Sequence, residues 1–432
     1  MQKSIGNYRW TICGLVFFAT TINYLDRAVI SLLKSTLSKE FSWSEVDYAN
    51  IVVVFQLCYA LGLLGAGRLI DKLGTKIGYA LATTLWSIAA IAHAAATSTF
   101  GFFLARGALG VTEAGNFPAA IKSIAEWFPK KERALATGLF NSGTNIGAIL
   151  APLTVPFIVA RWGWEWAFIL TGMIGFIWLV LWWMLFEVPI KHKKLSLIEL
   201  EYIHSDEDEK ITASNSNATK LSWGKLLGYK QTWAFALGKF LTDPVWWFYL
   251  FWLPDFLEKQ YGLTKTGIAL PVALAYTMAT FGSIIGGWLP MYFIKKGWTV
   301  FRSRKTSMLI YAVCVLPVVS AQYLGAINMW LAVLIIGLAM AAHQAWSANM
   351  YTTVSDLFPK SATASVTGIG GMFGAIGGIL IAKTAGKLFN YYKLNGRIET
   401  GYLIMFLICS VAYVIAWLIM HLLVPKMKSI GV

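Results

Sequence analysis

The sequence predicts an all-α membrane protein that crosses the bilayer twelve times. Of its 432 residues, 57% are hydrophobic and only 13% are charged, whereas soluble domains carry about 25% charged residues. Apolar runs of about 20 residues, the length that spans a bilayer as a helix, recur along the whole chain. One long polar stretch separates them into two sets of six, which predicts two halves joined by a connector.

The first set of six spans is expected at 10–33, 46–69, 76–97, 100–124, 134–160 and 164–186. The second set is expected at 231–258, 267–294, 304–323, 328–354, 361–386 and 400–424. The halves are therefore 1–187 and 231–432, and the connector is 188–230. The connector contains the acidic run "SDEDEK" and the polar run "TASNSNATK", which indicate a solvated segment.

The net charge of +15 is explained by membrane topology. If the N-terminus is cytoplasmic, and residues at the ends of spans are counted with the adjoining loop, 23 Lys and Arg residues fall on the inner side, 9 on the outer side and 4 within spans. This asymmetry follows the positive-inside rule and places both termini in the cytoplasm. We therefore expect the lipid bilayer, and not a nucleic acid, as the partner of the basic residues.

Enzymatic chemistry is not indicated. The four cysteines lie in apolar segments without metal-ligand spacing, and neither a phosphate-binding loop nor a nucleophile–histidine–acid set can be assembled from the sequence. We expect no cofactor, no metal and no enzyme.

An internal repeat relates the two halves. The segment "FPKKERALATGLFNSGTNIGAIL" (128–150) aligns without a gap with "FPKSATASVTGIGGMFGAIGGIL" (358–380), with ten identities in 23 positions. Each segment joins an even-numbered span to the next one. Parallel repeats of this kind, related by an axis along the membrane normal, are typical of transporters.

Several motifs resemble the major facilitator superfamily. "GRLIDKLGTK" (67–76) is similar to its loop between spans 2 and 3. "NYLDRA" (23–28) and "RGALGVTEAGNFPAAIKSIAEWFPKKERALATG" (106–138) resemble its anion:cation symporter branch. "DPVWWFYLFWLPDFL" (243–257) and "HQAWSANMYTTVSDLFPK" (343–360) are similar to bacterial hexuronate transporters.

The resemblance implies proton-coupled import of glucuronate or galacturonate by alternating access, in the inner membrane and as a monomer. It also implies a conformational latch made of Gly67, Asp71, Lys72, Gly74 and Arg133. The second half departs from the loop motif, because Met291 stands where an acid would fall. The latch is therefore expected mainly in the first half.

Apart from Lys122, six charges well inside the predicted spans are considered for function, and each costs about 2.5–3.5 kcal/mol there: Asp26, Arg27, Arg106, Glu113, Lys239 and Asp243. Asp26 and Arg27 are adjacent, so their side chains diverge by about 100° and each needs its own partner. Arg106 and Glu113 share one helix face, and Lys239 and Asp243 are spaced for a direct i,i+4 pair. Lys122, near the inner end of span 4, is expected to extend toward the headgroups.

The resemblance places spans 1, 4, 7 and 10 around a central cavity, so these charges are expected to face a substrate. Arg27 and Lys239 suit a carboxylate, because a guanidinium offers a planar fork and an ammonium adds a second cation. The full set of expected substrate-binding residues is Tyr24, Arg27, Tyr59, Arg106, Thr144, Asn145, Lys239, Trp246, Gln344, Asn349 and Tyr351. A carboxylate removed from water binds a proton more readily, so Asp26 and Glu113 are expected to couple protons. His343 is either a proton relay or a structural core residue.

Two alternatives remain open at this stage. The first is a proton symporter of another organic anion, such as an aldonate. The second is a transporter-like sensor that binds the sugar acid without moving it. Sensors of that type usually carry a long soluble extension, and the connector at 188–230 is the longest polar stretch in this sequence.

Overall fold

The computed structural model describes residues 6–43, 45–205, 221–263, 268–426 and 430, and within them the chain is helical without a strand. The helices before the connector are α1 (Tyr8–Leu32), α2 (Lys34–Glu40), α3 (Glu45–Leu73), α4 (Thr75–Ala92), α5 (Thr99–Glu113), α6 (Asn116–Trp127), α7 (Lys130–Trp162) and α8 (Trp164–Leu185). The connector carries α9 (Leu197–His204) and α10 (Trp223–Gly228). After it come α11 (Lys230–Tyr261), α12 (Ala269–Lys295), α13 (Val300–Val315), α14 (Ala321–Ile327), α15 (Met329–Leu357), α16 (Thr363–Leu394) and α17 (Ile398–Leu423). Residues 206–220, which hold most of the connector's acidic and polar runs, lie outside the described residues.

Ten helical segments in the described part of the chain are long and apolar enough to cross a membrane, so this is a multi-pass membrane protein. The predicted fourth span is divided into α5 and α6, and each piece alone is too short. The predicted seventh span, α11, carries Lys239 and Asp243, which lower its mean hydropathy. With these two spans the helices agree with the predicted twelve-helix fold.

Two predicted spans are less regular than the sequence suggested. The fourth span is interrupted at Ala114 and Gly115, between the ends of α5 and α6. The ninth span passes from α13 through a 3₁₀ segment, Leu316–Ser320, into α14. Pro317 lies at the start of that segment and lacks the N–H that would continue the α-helical pattern.

The chain forms two compact units. The first contains the described parts of Met1–Ser222, Val354–Met372 and Ser429–Val432, and the second contains those of Trp223–Thr353 and Phe373–Lys428. The first unit thus includes the end of α15 and the start of α16 as well as the six N-terminal spans.

Within the first unit, α1 packs along α7, α3 along α5, and α4 along α8. Small residues permit the close approach of the first pair. A Cβ atom at Gly147 of α7 would overlap the Thr21 carbonyl oxygen of α1, and one at Gly143 would lie 2.8 Å from the Phe17 carbonyl oxygen. Small residues are the usual means by which membrane helices bring their backbones together.

The connector helix α9 is fastened to the first unit by a buried ion cluster. Arg9 of α1 pairs with Glu132 of α7 at 2.8 Å and with Glu199 of α9 at 3.2 Å. Tyr202 of α9 donates a hydrogen bond to Glu132 at 2.8 Å. Arg9 and Glu199 are both buried. This cluster defines the connector end of the first unit, the end at which α8 passes into the connector.

In the second unit, α11 packs along α17, and α12 and α13 pack together. The helices α12 and α15 also approach closely, because a Cβ atom at Gly286 would overlap the backbone of Ala345. Asn349 of α15 donates to the Gly286 carbonyl oxygen at 2.7 Å and to that of Ala345 at 3.0 Å. The first of these bonds joins α15 to α12, and the second lies within α15.

Candidate functional site

Arg27 of α1 and Glu113 of α5 form a buried ion pair in the first unit. Arg27 Nε donates to Glu113 Oε2 at 2.6 Å, and the two side chains are 12% and 0% exposed. The guanidinium lies over the rings of Tyr24 and Tyr59, at 4.8 and 4.4 Å from their centroids. The structure thus brings four of the predicted site residues into direct contact.

Arg106 of α5 extends this group. Its Nη2 donates to the backbone oxygen of Arg27 at 3.1 Å, and its guanidinium lies 4.8 Å from the centroid of the Phe55 ring. Its Nε and Nη1 are buried with no hydrogen-bond partner among the described residues. Arg106 therefore retains hydrogen-bonding capacity for an anionic group.

Asp26 lies near the same group. It is 2% exposed, and both of its carboxylate oxygens are buried with no hydrogen-bond partner within the described ranges. Arg106 and Glu113 are close enough to interact with it electrostatically, and Thr171 of α8 lies beside it. Asp26, Arg27, Arg106 and Glu113 form a four-residue charge cluster whose formal charges cancel when all are ionised.

The two remaining polar residues predicted in the first unit lie on α7. Thr144 is buried, and its hydroxyl donates to the Asn141 carbonyl oxygen at 2.8 Å within α7. Asn145 is also buried, on the next position of the same helix.

The second unit contains a separate ion pair. Lys239 Nζ lies 2.7 Å from Asp243 Oδ2, so the i,i+4 pair predicted from the spacing is confirmed. The same ammonium donates to Tyr351 Oη of α15 at 3.0 Å and lies 4.2 Å from the centroid of that ring. Lys239 and Tyr351, both predicted for substrate binding, therefore lie together.

His343 and Trp246 also meet in the second unit. Their rings stack, with centroids 5.1 Å apart and planes 13° apart. His343 Nδ1 lies 2.5 Å from Tyr413 Oη of α17, and Tyr413 donates to the Thr242 carbonyl oxygen at 3.3 Å. His343 is thus a buried residue with a hydrogen-bond partner, and Gln344 is buried beside it on α15.

Asp71, at the connector end of α3, is the centre of the predicted latch. Its Oδ1 pairs with Lys122 Nζ of α6 at 2.9 Å. Its Oδ2 accepts from Ser365 N at 2.7 Å and from Ser365 Oγ at 2.6 Å, at the start of α16. The expectation that Lys122 extends toward the headgroups is wrong, because the residue is 4% exposed and its ammonium is paired.

The other latch residues are placed as follows. A Cβ atom at Gly67 would overlap the Ala364 carbonyl oxygen, so glycine permits the contact between α3 and α16. Gly74 has a φ of +82° between α3 and α4, a conformation that favours glycine. Lys72 is exposed.

Arg133 of α7 joins two helix ends. It donates to the carbonyl oxygens of Ala125 and Phe128, at 3.1 and 2.9 Å, at the end of α6. It also donates to the Ser355 carbonyl oxygen at 2.6 Å and lies 3.5 Å from the Asp356 carboxylate. A guanidinium can satisfy several free carbonyls at helix C-termini at once.

Three residues in these groups were missed by sequence reasoning. Lys122 carries a visible signal, since a lysine inside a span is rare and usually paired. Ser365 and Tyr413 carry none, because their importance depends on which helices pack together. In the described part of the chain, no group of three or more His, Cys, Asp or Glu residues could hold a metal ion.

Comparison with known proteins gives a consistent result. A family model described as Major Facilitator Superfamily matches residues 16–382. The hexuronate transporter of Escherichia coli (strain K12) is 34% identical over 389 residues, which cover 90% of this chain and 89% of that protein. The galacturonate transporter of Dickeya chrysanthemi is 38% identical over 291 residues, covering 67% of this chain and 84% of that protein.

The fold is also similar to solved structures. The proton:xylose symporter XylE superposes with a TM-score of 0.75 at 17% sequence identity, covering 98% of this chain and 97% of the other. At this identity the likeness concerns the fold alone.

Proposed function

This chain belongs to the major facilitator superfamily and is a transporter of that family, and we propose that it imports hexuronates, glucuronate or galacturonate, together with protons by alternating access. The observation that carries the proposal is the charge cluster of Asp26, Arg27, Arg106 and Glu113. The names of its hexuronate- and galacturonate-transporting relatives support the substrate class.

The proposed substrate contacts follow from the chemistry of a sugar acid. A carboxylate fits the open nitrogens of Arg106 and the guanidinium of Arg27, because two parallel N–H donors match its two oxygens. Lys239, in the second unit, is a separate cation proposed to receive the same carboxylate. The proposed hydroxyl partners and ring contacts are Tyr24, Tyr59, Thr144, Asn145, Trp246, Gln344, Asn349 and Tyr351.

Charge balance supports proton coupling. The cluster is formally neutral, so an entering monoanion leaves an uncompensated negative charge in a region of low dielectric, where such a charge is costly. A proton on Asp26 or Glu113 restores neutrality. We assign the first proton to Asp26, whose buried oxygens lack hydrogen bonds among the described residues. In the second unit, His343 is the proposed proton relay.

The latch residues supply the conformational step in this proposal. Gly67, Asp71, Lys72, Gly74 and Arg133 lie at the connector end, where Asp71 and Arg133 bind the ends of α15 and α16. Alternating access requires these contacts to break and re-form once in each cycle. Their polar, directional nature suits a contact that must be both specific and reversible.

Localisation and organisation complete the proposal. We place the protein in the inner membrane as a monomer, with both termini and the connector in the cytoplasm, because the basic residues are concentrated on that side. We retain 1–187 and 231–432 as the two repeated halves and 188–230 as the connector.

The decisive experiment is uptake of labelled glucuronate into proteoliposomes with an inside-alkaline pH gradient and no sodium. We expect accumulation that a protonophore abolishes and that Asp26→Asn uncouples from the gradient. Accumulation of galactonate instead of either hexuronate would favour the aldonate alternative. Binding without accumulation of any sugar acid would favour a sensor.

A further inference from the structure

Asp243 holds the position at Lys239 that a substrate carboxylate would need. Its Oδ2 lies 2.7 Å from the Lys239 ammonium, and its side chain is 18% exposed whereas that of Lys239 is 3% exposed. The carboxylate is therefore the more accessible member of the pair. A second carboxylate that approaches Lys239 must displace Asp243 or share the ammonium with it.

The packing of α16 restricts where Asp243 can go. A Cβ atom at Gly374 would overlap Asp243 Oδ2, so the carboxylate lies directly against the bare backbone of that helix. Sharing one ammonium between two carboxylates in this confined position would bring two like charges together, which disfavours the ionised form of one of them.

The groups that face this pair come from three neighbouring helices. Tyr351 and His343 lie on α15, with Tyr351 hydrogen-bonded to Lys239 and His343 within its electrostatic reach. Tyr413 of α17 is within electrostatic reach of Asp243, and α16 contributes Gly374. In the described part of the chain, Lys239 is the cation that faces Asp243.

On the premise of the proposed sugar-acid transport, we propose that the substrate carboxylate exchanges with Asp243 on Lys239, and that Asp243 takes up a proton as it is displaced. The Lys239–Asp243 contact breaks, a contact between Lys239 and the substrate carboxylate forms, and a proton from solution forms the new O–H bond on Asp243. The pair is neutral before the exchange. Afterwards the ammonium, the substrate anion and the protonated acid are again neutral together.

This exchange explains why an acid stands beside a substrate-binding cation. Without Asp243, the empty transporter would leave a buried ammonium uncompensated inside the membrane, which is unfavourable. With an Asp243 that stayed ionised, the loaded transporter would carry an unpaired carboxylate. A proton that arrives with the substrate and leaves with it avoids both states. Together with the proton proposed on Asp26, two protons and one net positive charge then accompany each substrate monoanion.

The test counts protons taken up when substrate binds. The full-length protein in nanodiscs is titrated with glucuronate by calorimetry in two buffers of different ionisation enthalpy, which gives the number of protons bound per substrate. We expect Asp243→Asn to take up one proton fewer than wild type. In the alkaline range the dissociation constant for glucuronate should rise with pH less steeply in this variant than in wild type. The increase per pH unit should be smaller by a factor of about ten, because one coupled proton has been removed.

Glu187→Gln is the matched control, because it removes a carboxylate paired with a lysine, Lys76 at 2.9 Å, at the connector end and outside the charge groups. It should keep the wild-type proton count. The double variant Lys239→Gln/Asp243→Asn buries no unpaired charge, and it should show the same loss of one proton if the single variant does not fold.

The outcomes separate this inference from the proposed function. If wild type binds glucuronate and the Asp243 variants keep its proton count, the exchange is overturned and hexuronate transport stands. If wild type binds only galactonate, the proposed substrate is wrong. The number of protons bound per galactonate, compared between wild type and the Asp243 variants, then tests the exchange. If wild type binds no sugar acid, both proposals fall.

Discussion

Arg27 is held to α5 at both its side chain and its backbone. Its Nε meets Glu113 at 2.6 Å, and its carbonyl oxygen accepts from Arg106 at 3.1 Å. Arg106 and Glu113 lie two helical turns apart on one face of α5, so α1 is bound at two levels by the same helix. Replacing Glu113 or Arg106 therefore changes both the position of Arg27 and the charge that surrounds it.

Replacing Arg27 by lysine tests the role of its planar fork. Arg27→Lys keeps the positive charge opposite Glu113 but loses the bidentate donors and most of the stacking on Tyr24 and Tyr59. We expect the KM for glucuronate to rise at least about tenfold, which corresponds to about 1.4 kcal/mol, with thermal stability little changed. Arg161→Lys, at an exposed arginine of α7, is the control. Equal KM values for the two variants would contradict a substrate contact at Arg27.

The contact between α3 and α16 is tested by adding one methyl group. Gly67→Ala places a Cβ atom into the Ala364 carbonyl oxygen, whereas Gly65→Ala on the same helix meets nothing within 4 Å. We expect Gly67→Ala to reduce the transport rate at least about fivefold, because steric overlap at a packed contact costs about 1–3 kcal/mol. Gly65→Ala should transport like wild type. Initial uptake rates at equal protein content in the vesicles decide the matter.

The charge on Asp71 is tested separately from its hydrogen bonds. Asp71→Asn leaves Lys122 buried beside a neutral amide, and removing one partner of a buried pair costs about 3–5 kcal/mol. Ser365→Ala removes a hydroxyl donor only, worth about 1–3 kcal/mol next to a charged acceptor. We expect kcat to fall more for Asp71→Asn than for Ser365→Ala, with glucuronate binding at equilibrium unchanged in both. A parallel loss of binding would contradict a purely conformational role.

The connector cluster predicts a difference in stability between two glutamates on one helix. Glu199 is buried and pairs with Arg9, whereas Glu201 is exposed on the opposite side of α9. Glu199→Gln weakens a buried charge-assisted contact, so we expect it to lower the unfolding temperature. Glu201→Gln should leave that temperature unchanged, as is usual for exposed positions. Thermal unfolding of both variants in the same detergent checks the prediction, and equal shifts would refute a role for the cluster.

Local patterns in the sequence predicted the features that depend on one helix. Hydropathy located most of the twelve spans to within about four residues, although α16 runs to Leu394, eight residues beyond the predicted end at 386. The spacing of Lys239 and Asp243 predicted their ion pair. The break at Gly115 was missed, although Gly115 and Asn116 stand there and Pro118 follows. Glycine, asparagine and proline are residue types that often mark the end of a helix.

Contacts between helices were beyond the reach of sequence patterns. The pairing of Arg27 with Glu113 spans 86 positions and depends on the relative rotation and height of α1 and α5. Lys122 was assigned to the headgroups because its sequence neighbourhood shows an inner helix end, but not that Asp71 lies beside it. Conversely, the concentration of charges on the first, fourth and seventh spans could be read from the sequence. A charged residue within a span is rare, so its presence by itself indicates a functional site.

The interruption at Ala114 and Gly115 divides the fourth span into two helices, α5 and α6. The helix α5 ends in Glu113, which pairs with Arg27, and α6 carries Lys122, which pairs with Asp71. A Cβ atom at Gly115 would lie 2.6 Å from that of Ala82, so α4 packs closely against the turn between α5 and α6. Because the α-helical hydrogen-bond pattern gives way to a tighter turn between α5 and α6, with Gly115 N–H donating to the Thr112 carbonyl oxygen at 3.3 Å, the pair at Glu113 and the pair at Lys122 belong to two separately hydrogen-bonded helices.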